Sequence, residues 1–241
     1  MSDDSIGRKV AKIKVVKGGP YIVSGHIKLR RQTIISNEAG QALKWQDGEI
    51  MPTPDTYSLC RCGRTTRAPF CDGSHSEAGF TGEETAGHAP YIEDVELFEG
   101  PNLILTDKQG LCAGARFCDS YGGTWKLAMK SSDPKARAIA IQQAADCPSG
   151  RLVVYDRDTF EPIEPELERE IAIIEDPAAG CSGPLWVKCG ILIESADGTA
   201  YETRNRVTLC RCGKSINMPF CDGSHVGHEF REKGGKYENK R

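Results

Sequence analysis

Leu59–His75 reads LCRCGRTTRAPFCDGSH, and Leu209–His225 reads LCRCGKSINMPFCDGSH. Twelve of the seventeen positions are identical, including every cysteine and the histidine, which marks a duplicated module. Three thiols and one imidazole are donors suited to a soft metal centre. The candidate ligands are Cys60, Cys62, Cys71 and His75 in the first copy, and Cys210, Cys212, Cys221 and His225 in the second. Residues two apart do not share a helix face, so each C-x-C pair belongs on a loop or strand end. The separation of four from Cys71 to His75 predicts the first turn of a helix, where i and i+4 stack on one face. Pro69 directs the chain into that turn, and Gly73 lets the backbone approach a bulky centre closely. Helix N–H groups there would favour an anionic centre. On donor type alone, zinc and iron both fit.

Pro69–His75 and Pro219–His225, both PFCDGSH, resemble the CDGSH iron-sulfur domain of mitoNEET-type proteins. The upstream C-x-C pairs match that pattern, as does a following hydroxyl residue, Thr65 or Thr66 in one copy and Ser215 in the other. The resemblance implies one [2Fe-2S] cluster per copy, bound by three Cys and one His. Members with a single motif form homodimers around a shared β core. With two motifs in one chain, Val10–Thr81 and Glu170–Glu232 are expected to pair as a pseudo-twofold unit inside a monomer; the alternative is that each module pairs with one in another chain.

The repeat continues upstream of the ligands. Gly19–Ile27 aligns with Gly183–Ile191, and both read as strands after a Gly-Pro break. Further strands are expected at Lys9–Val16, Glu170–Ile174, Tyr57–Leu59 and Val207–Leu209, with a surface loop over roughly Asn37–Thr53. Between the copies, Leu103–Thr106 and Arg151–Tyr155 read as strands. Asp133 caps a helix that opens with Pro134 and runs to about Ala145. Glu161–Glu170, acidic with two prolines, reads as a solvated linker. The expected class is α+β: two β-rich modules, 1–82 and 166–241, pair as an intrachain pseudo-dimer around an inserted ferredoxin-like unit, 83–165.

Cys112 and Cys118 occupy the first and third places of a ferredoxin C-x2-C-x2-C run, Ala115 stands at the second, and Cys147-Pro148 matches the later Cys-Pro. The order strand, cysteine loop, helix, Cys-Pro, strand resembles the divergent single-cluster ferredoxin domains found beside CDGSH motifs. Three cysteines suit a [3Fe-4S] centre, or a [4Fe-4S] centre with a fourth donor of another kind; a unit that has lost its cluster is the alternative. Cys189 reads as strand core packing and Cys181 as a free thiol. His26, His88 and His228 lack ligand spacing.

The chain has 241 residues, eleven cysteines and a net charge of −3. An odd cysteine number with C-x-C spacing argues against a disulfide framework. No basic stripe points to nucleic acid. The N-terminus lacks an apolar h-region, and Leu185–Ile193 is too short to span a bilayer, so no membrane contact and a cytoplasmic location are expected. No catalytic triad, P-loop or dinucleotide fingerprint points to an enzyme. An electron carrier working with redox partner proteins is the expected function. A cluster store or donor for apo-acceptor proteins, or a redox or iron sensor, is the alternative.

Overall fold

The computed structural model describes residues 11–233. In the first module β1 (Lys12–Val15), β2 (Tyr21–Ser24), β3 (Lys28–Ser36), β4 (Ala42–Met51) and β5 (Thr56–Leu59) precede a short helix α1 (Ser74–Glu77). The central unit contributes β6 (Glu96–Glu99), β7 (Leu103–Asp107), α2 (Thr124–Met129), α3 (Pro134–Ala145) and β8 (Leu152–Asp156). The second module contributes β9 (Glu170–Asp176), β10 (Cys181–Lys188), β11 (Leu192–Glu194), β12 (Arg206–Leu209) and α4 (Ser224–Gly227). The chain is of the α+β class.

The two modules exchange strands. One sheet runs β11-β1-β2-β5 and the other β12-β10-β9-β3-β4. The first sheet takes β11 from the second module and the second sheet takes the β3-β4 hairpin from the first module, each through one parallel pairing: Lys12 lies opposite Leu192, and Lys28 opposite Glu170. The swap follows from composition. Ile171, Ile173, Leu185 and Val187 of one module pack with Ile13, Val15, Val23 and Leu29 of the other in one buried core, and neither half alone could cover those side chains. Burying an aliphatic side chain stabilises by roughly 1.5–3 kcal/mol. The two C-x-C loops meet where Cys62 bridges Cys212.

The stretch expected as a surface loop, Asn37–Thr53, is instead mostly β4, a ten-residue strand antiparallel to β3. Most of its residues are exposed, as suits a strand at the sheet edge. Trp45 anchors it, packing in tilted contacts on Trp186 and Phe117 with ring centroids at 4.8 Å each. The first expected strand begins at Lys12; its predicted residues Lys9 and Val10 lie outside the described residues.

In the central unit, α3 is capped as its sequence predicts, with Lys135 N–H donating to Asp133 Oδ1 at 3.0 Å. Strands β6, β7 and β8 form a meander packed by Leu103, Leu105, Leu152 and Val154 onto Ala136, Ala140 and Ala144. The acidic segment Glu161–Glu170 is a structural tie rather than a solvated linker. Ile163 N–H bonds Val154 O at 2.7 Å, Glu164 receives Arg206 at 2.7 Å, and buried Glu170 receives Lys188 at 2.8 Å. Acidic character there answers buried cations, a need that appears only once the chain is folded.

Candidate metal centres

Each CDGSH loop brings its four predicted donors together as two pairs. In the first module Cys60 Sγ lies 3.7 Å from Cys62 Sγ, and Cys71 Sγ 3.3 Å from His75 Nδ1. In the second, Cys210 Sγ lies 3.6 Å from Cys212 Sγ, and Cys221 Sγ 3.4 Å from His225 Nδ1.

The loop geometry follows from a few polar clamps. Thr65 Oγ1 donates to Phe70 O at 2.7 Å and accepts from Arg67 N–H. Ser215 repeats both bonds with Phe220 and Asn217, so Thr65 rather than Thr66 is the equivalent hydroxyl. Asp72 accepts from Thr66 N–H, Ser74 N–H and the Ser74 hydroxyl. The Ser74 hydroxyl and then those N–H groups hold its carboxyl well below the usual range. Asp222 is clamped likewise by Ile216 and Ser224 N–H.

The helices start later than the spacing predicts. Gly73 and Gly223, at φ 93° and 85°, are the N-caps, so Cys71 and Cys221 precede the helix and only the histidines lie on it. The left-handed turn, open to glycine, brings thiol and imidazole together without i,i+4 stacking.

The thiols are electrostatically uneven. In each C-x-C pair a hydrogen bond from the second thiol holds the first below its ordinary range, against burial and aided by N–H groups such as those of Thr65 and Ser215. The same bond pushes Cys62 and Cys212 up. Burial raises Cys71 and Cys221.

The two sites also differ in exposure. His75 is half-buried, whereas His225 is 4 % exposed and burial, then Arg211, pushes it down to about 4. The cover comes from the central cysteine loop. A Cβ on Gly223 would lie 3.0 Å from Cys112 O, and one on Gly114 3.2 Å from Val226. Arg116 fastens this loop to β9 through two bonds to Asp176, at 2.5 and 2.9 Å.

Cys112, Cys118 and Cys147 form the third candidate group. Burial raises the Cys118 thiol above its ordinary range, followed by the charges of Asp119, Cys147 and Cys112, which places the three thiols in one electrostatic neighbourhood. Ala115 fills the missing ligand position and packs with Ile34, Ala172, Ile174 and Trp186. The chain has turned that position toward the β core.

The remaining predicted residues stand apart. Cys189 is not strand core: it follows β10 in a left-handed turn, φ 60°, where its repeat partner is Gly25, φ 93°. Cys181 is a free, buried thiol at the start of β10. His26 lies 3.3 Å from Asp55, and His88 stacks on Tyr201 at 4.3 Å. Tyr21 was not foreseen as a site residue. Its hydroxyl donates to Cys210 O at 2.8 Å and Pro219 O at 3.0 Å, so the first module holds the second module's ligand loop. The repeat carries no such signal, because Leu185 occupies the matching place.

Comparison with protein families agrees with this architecture. Residues 18–76 and 182–226 match the iron-binding zinc finger of CDGSH type, and residues 98–157 match the divergent 4Fe-4S mono-cluster family. Two CDGSH-type modules thus flank a divergent mono-cluster, ferredoxin-like module, which makes the chain an iron-sulfur protein. No curated protein and no solved structure matches it.

Proposed function

We propose that Cys60, Cys62, Cys71 and His75 hold one [2Fe-2S] cluster, that Cys210, Cys212, Cys221 and His225 hold a second, and that the protein carries single electrons between partner proteins. The pairing of donors carries this reading. A tetrahedral metal with sulfur at about 2.3 Å and nitrogen at about 2.0 Å separates neighbouring donors by about 3.3–3.8 Å. The sulfur pairs at 3.7 and 3.6 Å and the sulfur–nitrogen pairs at 3.3 and 3.4 Å fit that edge length. Among the described residues no three His, Cys, Asp or Glu are arranged to hold a single ion. Two donors per metal suits a two-iron centre better than one zinc.

Such a cluster supplies one-electron redox chemistry, and an imidazole in place of a thiolate makes it less negative and easier to reduce. The chain's own part is to hold the donors, shield them and polarise the sulfur, as Gly223 N–H does toward Cys221 Sγ at 3.4 Å. Cys112, Cys118 and Cys147 would hold a third centre, [3Fe-4S] or [4Fe-4S]. Both shared sheets are built from the two modules of one chain, which supports a monomer; a cytoplasmic location is part of the same proposal. Among the described residues no helix is long and apolar enough to cross a membrane.

Iron, sulfide and zinc analysis with electron paramagnetic resonance of the reduced protein tests the reading. Two iron and two sulfide per CDGSH site are expected; a colourless protein carrying only zinc overturns it. Where proton uptake at histidine accompanies the electron, the midpoint falls by about 59 mV per pH unit, and His75→Cys removes that slope at its site.

The exposure of the first site favours a second reading, hand-over of its cluster to an apo-acceptor. Rapid transfer to apo-ferredoxin from the first site, absent in His75→Cys, would support it.

A further inference from the structure

Each C-x-C pair brackets one arginine, and both arginines are buried, Arg61 at 1 % exposure and Arg211 at 3 %. The repeat gives them the same backbone acceptors. Arg211 Nε donates to Gly183 O at 2.6 Å and Nη2 to Ile174 O at 2.9 Å. Arg61 Nε donates to Gly19 O at 2.9 Å and Nη2 to Val16 O at 2.7 Å. A phenylalanine lies beside each guanidinium, Phe80 at 5.2 Å and Phe230 at 5.6 Å.

The counter-charges differ. Arg211 pairs with Glu175 at 2.8 Å and with Glu232. Half-buried Arg31 reaches the same two carboxylates at 3.1 and 2.5 Å, and Glu49 at 3.5 Å, so buried Arg211 faces two buried anions that it shares with one further cation. In the first module the residue after Val16 is Lys17, where Glu175 follows Ile174. Gly82 stands two residues after Phe80, where Glu232 stands two after Phe230. A Cβ on Gly82 would lie 2.5 Å from Arg61 Nη2, so that position has no room for a carboxylate side chain. Among the described residues Arg61 has no carboxylate partner, and its Nη1 is buried with no hydrogen bond.

We infer that Arg61 makes the first CDGSH site the stronger electron acceptor of the pair. The inference rests on the proposed [2Fe-2S] occupancy. Reduction adds one negative charge to a centre, and a neighbouring uncompensated cation favours that charge. Arg61 lies between Cys60 and Cys62 in the chain, and it holds the carbonyl of Gly19, whose Cβ would lie 3.8 Å from His75 Nε2. Arg211 is neutralised, so the second site lacks this help. Burial acts in the same sense, because the added charge is less well solvated beside buried His225 than beside half-buried His75. An electron shared between the sites rests on the exposed first one, and the second, sealed by the Cys112–Gly114 loop, lies upstream of it.

Redox titration of the whole protein followed by electron paramagnetic resonance tests this, with His75→Cys and His225→Cys used to assign each signal. The expected preference for the first site is at least tenfold, 59 mV for one electron. Glu175→Gln should raise the second site and narrow the gap. Lys17→Glu, an exposed change, should lower the first site and narrow it too, so the test survives if the buried variant fails to fold. Equal potentials with both sites loaded, a higher second site, or a gap unmoved by Lys17→Glu overturn the inference alone. Absence of iron and sulfide from these sites overturns both the inference and the functional reading beneath it.

Discussion

Gly63→Ala should unfold the protein far more easily than its chemistry suggests. Gly63 has φ +71°, and a Cβ there would stand 2.6 Å from Cys212 O and 2.9 Å from its carbonyl carbon. Gly213 mirrors it, with a Cβ 2.6 Å from Cys62 O. A left-handed alanine costs about 1–2 kcal/mol. The overlap falls on backbone, so one ligand loop must move off the other, adding about 1–3 kcal/mol. The sum is about 2–5 kcal/mol. Gly40→Ala is the control: φ is +77° but nothing lies within 4 Å, so only the first cost of about 1–2 kcal/mol applies. In urea, with m of about 1–3 kcal/mol/M, the extra loss should lower the midpoint by roughly 1 M relative to Gly40→Ala. Far-UV circular dichroism across a urea series measures it. If Gly63→Ala is no worse than Gly40→Ala, the two C-x-C loops do not meet as described.

Three further outcomes are expected. Asp133→Ala should remove the cap on α3 and cost about 1 kcal/mol, read as a lower denaturation midpoint. Arg206→Met should cost about 1–3 kcal/mol by leaving buried backbone carbonyls without their donor. Arg206 holds Cys147 O at 2.8 Å and Leu152 O at 3.2 Å, so hydrogen exchange should quicken around Cys147 before it does in β1. The Ser195 hydroxyl and then Thr199 N–H hold Asp197 down to about 2; a carboxyl depressed in the fold stabilises above its unfolded value near 4 and loses that contribution as pH falls toward 2. The stability gap between the unmodified protein and Asp197→Ala should therefore be constant above about pH 4 and close between pH 4 and 2, which acid unfolding curves would show.

The close approach of the C-x-C thiols and of each later cysteine to its histidine, the α3 cap and the strands flanking each loop were legible because local chemistry decides them. Asp133-Pro134 caps a helix wherever it sits, and a repeated C-x-C with a CDGSH motif carries its own geometry. What escaped depends on partners distant in the chain. β4 mixes apolar and polar residues without a clean alternation and becomes a strand because β3 offers a ladder and Trp45 finds Trp186 and Phe117. Cys189 was misread because side-chain type outweighed backbone position: the matching Gly25 already marked a left-handed turn. The helix after Cys71 was placed a turn too early, since i,i+4 spacing also fits two residues joined by a glycine turn. Nothing local distinguishes Arg61 from Arg211; their difference lies in Lys17, Gly82, Glu175 and Glu232, far away in sequence.

The parallel pairings of β1 with β11 and of β3 with β9 have a consequence during synthesis. When the N-terminal third leaves the ribosome, its strands have open flanks and nothing to close them, and the whole ferredoxin-like segment must be translated before the missing partners arrive. Contacts so remote in the chain slow folding, and unpaired flanks invite association between nascent copies. Filling a metal site in that early fragment would therefore load a half-built cradle. A centre held by these loops would be best received once β9 and β11 have joined β3 and β1.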